Sequence, residues 1–310
     1  MVYQNFDEIL ANMRNRPALT PMAIAAAGDR HTLEAAVKAQ REGIALPIPV
    51  GDGESIRRIL YELGADPTQY EIHDAPDPAE AAREAVRLVR ERRAGFLMKG
   101  MLDTGVLLKA VVNKESGLGG GSVMSHFTAF EVPGYHKLLV PVDGGMVPYP
   151  TLEQKAAIIR NTVSVLRAMG YDCPKVGVVT CVEKVNPKMP ETVEARALAE
   201  MNRNGEITGC IVDGPVSYDC AVSAEIARAK GYESPIAGDV DVLLAPNIHA
   251  GNVMGKMLLC TCGAKMAGFV AGATCPIVLT SRGSCAEEKF LSIALSAAAS
   301  TVKTEGGVKT

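Results

Sequence analysis

The chain lacks several features that would each have assigned it a class. No apolar run reaches the roughly 18 residues of a membrane-spanning helix. The opening segment "MVYQNFDEILANMRNR" carries acidic residues inside its apolar pattern where a signal peptide would have a continuous apolar core. A cytoplasmic protein with no membrane partner is the expectation. There is no basic excess either: 32 Lys and Arg stand against 35 Asp and Glu, for a net charge of −3. Nothing here would neutralise a nucleic-acid backbone, so no nucleic-acid partner is expected and small-molecule chemistry is the better starting class. None of the eight cysteines forms a CxxC pair, and all lie at position 173 or beyond. In a chain of 310 residues with no secretion signal, a disulfide framework is not expected. The tightest pair, Cys260-x-Cys262, lacks the second cysteine or histidine pair of a zinc site, so no metal is expected. The thiols read as small apolar groups, buried or half-buried. The glycine run "SGLGGGS" at 116–122 has no Lys-Ser/Thr after it, which excludes a P-loop and leaves a flexible connection.

What is present is a repeating alternation. The chain exceeds the usual size of one hydrophobic core, so two lobes are expected. "MAIAAAG", "ALPIPVG", "AGFLMKG", "KLLVPVDGG", "KVGVVT", "ITGCIVDGP", "VDVLLAPN" and "CPIVLTSRG" read as strands separated by helical patterns, the signature of βαβ units and an α/β fold with largely parallel sheets. Over 151–170, Leu152, Ala156, Ile159, Val163 and Leu166 recur at helical spacing as a core-facing stripe. A lobe boundary is expected near "EVPGYHK", residues 131–137, where Pro and Gly interrupt the pattern. Polar residues gather at strand ends, including Asp143-Gly144 and Asp213-Gly214, where open α/β sheets hold ligands; each is equally an ordinary turn.

Several stretches carry groups suited to an anionic ligand. In "VLTSRGSCAEEK", residues 278–289, Ser284-x-x-Glu287 reads as a capping box, but Arg282 has no structural duty in that reading. An arginine beside a helix N-terminus makes a ready site for a phosphate or an oxyanion, and a glutamate one turn further on can take a proton there. In "APNIHAGN", Asn247 and Gly251-Asn252 flank a helix start; Asn amides can meet a neutral ligand arm, and Asn247 serves equally as a helix cap. Lys99 ends a strand just before a helix opening at Asp103 or Thr104, either as a point charge for phosphate or as a solvated lysine. Ser125 and His126 sit on a strand whose alternation sends them to opposite faces. Lys184 and Lys188 lie in a proline-punctuated loop, available to nucleotide phosphates or simply solvated.

Taken in order, "LMKGMLDTGVLLKAVVNKESGL", "SHFTAFEVPGYHKLL", "TLEQKAAIIRNTV", "EKVNPKMPET", "GDVDVLLAPNIHAGN" and "AKMAGFVAGATCPIVLTSRGSCAEEK" resemble the phosphate acetyl/butyryltransferase family, in its butyryl-type form. The resemblance implies the reaction acyl-CoA + phosphate ⇌ acyl phosphate + CoA, with coenzyme A as a substrate and no covalently bound cofactor. It implies a two-lobed α/β/α three-layer fold of the isocitrate/isopropylmalate dehydrogenase kind. The lobes would be 1–133 plus 283–310, and 134–282, with the active site in the cleft between them. A homodimer or higher homo-oligomer is implied too. Ser281 and Arg282 would be the anion and oxyanion contacts, with Glu287 or Glu288 as the base. Lys99, Thr104, Ser125, His126, Asp143, Lys184, Asn247, Gly251 and Asn252 would lie about the substrates.

Three departures from the family pattern stand out: Gly119-Gly120-Gly121 in place of an arginine-bearing turn, Asp143-Gly144-Gly145-Met146-Val147 in place of Asp-Ala-Ala-Met-Asn, and His249 where an acidic residue is common. Two alternatives stay within the resemblance: transfer of acetyl, and a non-catalytic CoA-binding relative. A hydroxyacid dehydrogenase on the same fold would need a cluster of metal-binding aspartates that the sequence does not assemble.

Overall fold

The computed structural model describes residues 2–120, 123–280 and 285–300. In chain order the first stretch holds α1 (Phe6–Arg14), β1 (Thr20–Ala25), α2 (Arg30–Arg41), β2 (Ala45–Gly51), α3 (Gly53–Glu62), β3 (His73–Asp74), α4 (Pro78–Arg90), β4 (Phe96–Lys99) and α5 (Thr104–Val111). The middle stretch holds β5 (Ser125–Glu131), β6 (Val140–Val142), α6 (Leu152–Ala168), β7 (Lys175–Thr180), α7 (Pro190–Arg203), β8 (Ile211–Ser217), α8 (Tyr218–Val222), α9 (Ala224–Ala229), β9 (Val242–Leu244) and α10 (Ile248–Cys260). The chain ends in β10 (Lys265–Ala271), β11 (Ile277–Val278) and α11 (Ala286–Ala299). Among the described residues no helix is long and apolar enough to cross a membrane.

These elements form two compact units: an inserted unit, Met1–Asn5 with Val123–Met266, and a flanking unit, Phe6–Ser122 with Ala267–Thr310. The divisions precede the lobe bounds near 133 and 282 that the resemblance implied. Pro133-Gly134 is instead a turn inside the inserted unit, because Phe130 and Leu139 exchange backbone hydrogen bonds of 2.8 and 2.9 Å across it. The glycine-rich connection is also less loose than expected over its first half. Leu118 N–H donates to Val111 O at 2.7 Å, and Gly119 bridges Ala273. Gly121 lies outside the described residues.

In the flanking unit the strands run in the order β3-β2-β1-β4-β11-β10, parallel except for the β10–β11 pair. Every residue of β1 is buried, as befits a parallel strand covered on both faces. The helices supply the covers: α11 packs on α2 and α1, and α4 packs on α5 and β1. Because α11 is enclosed, its sequence is apolar or small nearly all round, and Lys289 through Ala299 are buried. In the inserted unit the order β6-β9-β7-β8 is wholly parallel. There α6 starts at a capping box between Thr151 and Gln154 and buries Ala156, Ile159, Val163 and Leu166. Both units are thus three-layer α/β/α sandwiches. Asp213-Gly214 corrects one expectation: it lies within β8 rather than at its end. The ladder continues past it through a register shift opposite Gly177–Val179.

Candidate active site

In the flanking unit, the C-terminal ends of β4 and β11 and the starts of α2, α5 and α11 open on a pocket of about 640 Å³. Lys99 and Thr280 come from the strand ends, Asp29 and Thr32 from the start of α2, Asp103 from the start of α5, and Lys289 from α11. Such an edge, where helix N-termini and strand ends converge, is where open α/β sheets bind ligands. Asp29 caps α2, accepting from Thr32 N at 2.9 Å. Asp103 makes no such bond to α5, so the helix that Thr104 opens has no side-chain cap. The Lys99 ammonium donates to Gly100 O at 3.1 Å and Leu102 O at 2.9 Å, which fastens it to the loop beneath the pocket.

Ser281 and Arg282 follow Thr280 directly and lie outside the described residues, as does Ser284. The capping box Ser284-x-x-Glu287 is one residue out of register with the helix. Its cap is Cys285, whose Sγ accepts from Glu288 N at 3.5 Å. Glu287 is exposed, Glu288 is half-buried and Lys289 is buried. The helix therefore turns Glu288 inward and Glu287 to solvent.

In the inserted unit the ends of β5 and β6 meet the first turn of α10. Asp143 is buried, and its carboxylate accepts from Gly145 N at 2.7 Å, Met146 N at 2.9 Å, His126 N at 3.2 Å and Val147 N at 3.3 Å. Four backbone donors wrap one anion, so Asp143 shapes the turn. Beside it, α10 starts at Asn247, whose Oδ1 accepts from Ala250 N at 3.1 Å, and Asn252 Nδ2 donates to Gly144 O at 3.0 Å. A Cβ at Gly251 would lie 2.4 Å from Asp143 O and 3.1 Å from Gly144 Cα, so only glycine allows this crossing. The departure to glycine at 145 has a similar reading, since a Cβ there would meet His126 Nδ1 at 2.9 Å. Ser125 is buried and accepts from Asn161 Nδ2 at 3.1 Å. His249 sits on the first turn of α10 and pairs with Tyr149 Oη at 3.0 Å.

Burial pushes the His126 imidazole below its ordinary range, and the Asp143 charge opposes that only in part. A histidine whose folded pKa is depressed keeps its full contribution above the unfolded value of about 6.5 and loses it as pH falls toward the folded value. The melting temperature is therefore expected to fall on acidification below about pH 6.5, with His126→Gln removing part of that slope. Parallel melting curves for the two proteins would contradict the assignment.

Lys184 is exposed in the β7–α7 loop. Its neighbour Glu183 joins Asp219 and Cys220 in a group with metal-ligand donor types, but the Lys230 ammonium sits 3.1 Å from Glu183 and 2.9 Å from Asp219 as their counter-ion. Hydrogen bonds from Ser217 and Lys230 pull the Asp219 carboxyl down to about 2. The cysteines divide. Cys210, Cys220 and Cys275 are buried and the other five exposed, against the reading of general burial; burial pushes the Cys275 thiol up to about 12. Sequence reasoning missed Asp29, Thr32 and Lys289. Lys289 reads as one more polar residue at a helix start, and only the enclosure of α11 packs most of its side chain away.

Largely parallel sheets with helix starts, lysine and threonine gathered at strand ends define an α/β protein of the kind that holds ligands at such edges. Residues 78–297 match the family described as phosphate acetyl/butaryl transferase, and the chain belongs to that family of enzymes. It is 42% identical over 294 residues, 95% of this chain and 97% of the other, to a phosphate butyryltransferase of Clostridium beijerinckii. A phosphate acetyltransferase of Thermotoga maritima is 45% identical over 276 residues, covering 89% and 94% of the two chains. Among solved structures, a branched-chain phosphotransacylase from Enterococcus faecalis aligns with a TM-score of 0.81 at 30% identity, covering 91% of this chain and 99% of that one. A 4-hydroxythreonine-4-phosphate dehydrogenase from Burkholderia phymatum, at TM-score 0.56 and 13% identity over 90% and 99% of the chains, shares the fold. That is the dehydrogenase-like architecture the sequence led one to expect.

Proposed function

We propose that this enzyme moves a short acyl group between coenzyme A and inorganic phosphate, with butyryl-CoA + phosphate ⇌ butyryl phosphate + CoA as its reaction. The observation that carries the reading is identity above 40%, over nearly the whole chain, to relatives named for this chemistry. A phosphate oxygen attacks the thioester carbonyl, the tetrahedral adduct collapses, the C–S bond breaks and the CoA thiolate leaves. Neither a metal nor a covalent enzyme intermediate is needed to balance these steps. The residues have to hold phosphate against the thioester, steady the oxyanion and move one proton.

In this proposal Ser281 and Arg282 contact the phosphate and the oxyanion. Glu288 is the base that in the reverse direction takes the CoA thiol proton, since it is the inward-facing member of the glutamate pair. Lys99 and Thr104 serve the pocket of the flanking unit. Ser125, His126, Asp143, Asn247, Gly251 and Asn252 form the surface for the CoA arm, with Asp143 as its positioning residue and Lys184 reaching the nucleotide phosphates. The reading includes a cytoplasmic homodimer or higher homo-oligomer.

Transfer of acetyl is the second reading, favoured by the 45% identity to an acetyltransferase. Initial rates with acetyl-, butyryl- and isobutyryl-CoA under identical conditions decide between them. The butyryl reading expects kcat/KM for butyryl-CoA to exceed that for acetyl-CoA by at least about tenfold, the worth of one or two methylenes in an apolar pocket. The reverse order selects acetyl, and no turnover of any of the three overturns both.

A further inference from the structure

Among the described residues three lysines are more than nine-tenths buried: Lys137, Lys155 and Lys289. The first two have counter-charges. Lys137 Nζ lies 2.9 Å from Asp239 and 2.8 Å from Asp241, and Lys155 is bonded to Glu194. Lys289 is 8% exposed and has no hydrogen-bond or ion-pair partner among the described residues. The stem is packed against the protein, while the ammonium, which no described residue bonds, stays within reach of solvent.

The surroundings say what it is for. Lys289 lines the 640 Å³ pocket. The same pocket receives the start of α5, an eight-residue helix to which Asp103 gives no capping bond. A helix start and an ammonium without a counter-ion among the described residues are complementary to a group with several anionic oxygens. Two carboxylates share the pocket, Asp29 and Asp103; that of Asp29 is engaged as the cap of α2. The volume exceeds one phosphate several-fold, leaving room for the rest of a larger substrate.

We propose that Lys289, together with the start of α5, is a phosphate-group contact of this pocket, and that the missing counter-charge of Lys289 is supplied by the substrate. The identity of the substrate rests on the proposed function. The phosphoryl group belongs either to the inorganic phosphate co-substrate or to coenzyme A.

The test uses full-length protein, Lys289→Met and Lys289→Arg, melted with and without low millimolar phosphate, CoA or dephospho-CoA at constant ionic strength. Lys289→Met is expected to lose most of the ligand-induced rise in melting temperature, while Lys289→Arg keeps it. Loss of the rise with phosphate identifies the co-substrate. Loss with CoA but not with dephospho-CoA identifies the CoA 3′-phosphate, and loss with both identifies its pyrophosphate. Kinetics follow: KM for the ligand so identified should rise at least tenfold in Lys289→Met, with kcat within about threefold. Equal ligand-induced shifts in wild type and Lys289→Met would overturn the proposal. The melting readout needs no turnover. If no acyl-CoA is consumed, the functional reading fails while the Lys289 result still stands or falls on its own.

Discussion

Gly251→Ala is expected to destabilise the inserted unit by about 3 kcal/mol, the upper range for forcing an extra carbon into a packed site. The new Cβ would stand 2.4 Å from Asp143 O and 2.9 Å from Asp143 C, both backbone atoms held by neighbours that cannot rotate away. Asp143 cannot move, because its carboxylate is fixed by four N–H groups from His126 and from Gly145 through Val147. The strain must therefore fall on α10, pushing its first turn outward and breaking the 3.0 Å bond from Asn252 to Gly144. Chemical denaturation should show the loss in midpoint at unchanged slope. A rise in KM for CoA larger than the fall in kcat should accompany it if this turn receives the CoA arm. A variant with wild-type stability would mean that the α10 start is not seated as described.

Glu288→Gln is expected to lower kcat by two to four orders of magnitude, the usual worth of a general base, whereas Glu287→Gln should stay within about threefold of wild type. The distinction comes from α11. With Cys285 as its cap, Glu288 is the third helical residue and half-buried, and Glu287 is exposed. Glutamine keeps shape and loses basicity, so both variants should fold and melt near wild type. If Glu287→Gln is the crippled variant, the roles of the pair are exchanged.

Much of the fold was legible because it rests on local pattern. "KVGVVT" is β7 residue for residue, and the helical stripe from Ala156 to Leu166 is the buried face of α6. What escaped depended on partners distant in sequence. His73–Asp74 is a strand only because Val50 and Gly51 pair with it, and two residues carry no period. The β10 segment carries Gly268 and a leading Lys265, and its identity as a strand comes from antiparallel pairing with β11. The Pro-Gly step at 133–134 reads like a linker, yet the Phe130–Leu139 pair makes it a turn.

The site divides in the same way. Residue types at strand ends pointed to Lys99 and Asn247, which lie at the end of β4 and just past β9, and His126, read as a strand residue, is the second residue of β5. Asp143 was visible as a turn aspartate, but not as a carboxylate whose wrapping includes an N–H from 17 residues away. The register of the glutamates was hidden because Ser284-x-x-Glu287 satisfies the capping pattern as well as Cys285 satisfies the space. Lys289 was invisible because burial of one face of a helix start is decided by what packs around it.

Acyl transfer to phosphate makes CoA release depend on the oxyanion. Purified protein is mixed with butyryl-CoA, and free thiol is followed with and without inorganic phosphate, and again with arsenate in its place. Thiol is expected to be released only when one of the two oxyanions is present, with one butyryl phosphate formed per thiol in the phosphate reaction. Release at the same rate without either oxyanion, or no release under any condition across acetyl-, butyryl- and isobutyryl-CoA, would contradict acyl transfer to phosphate.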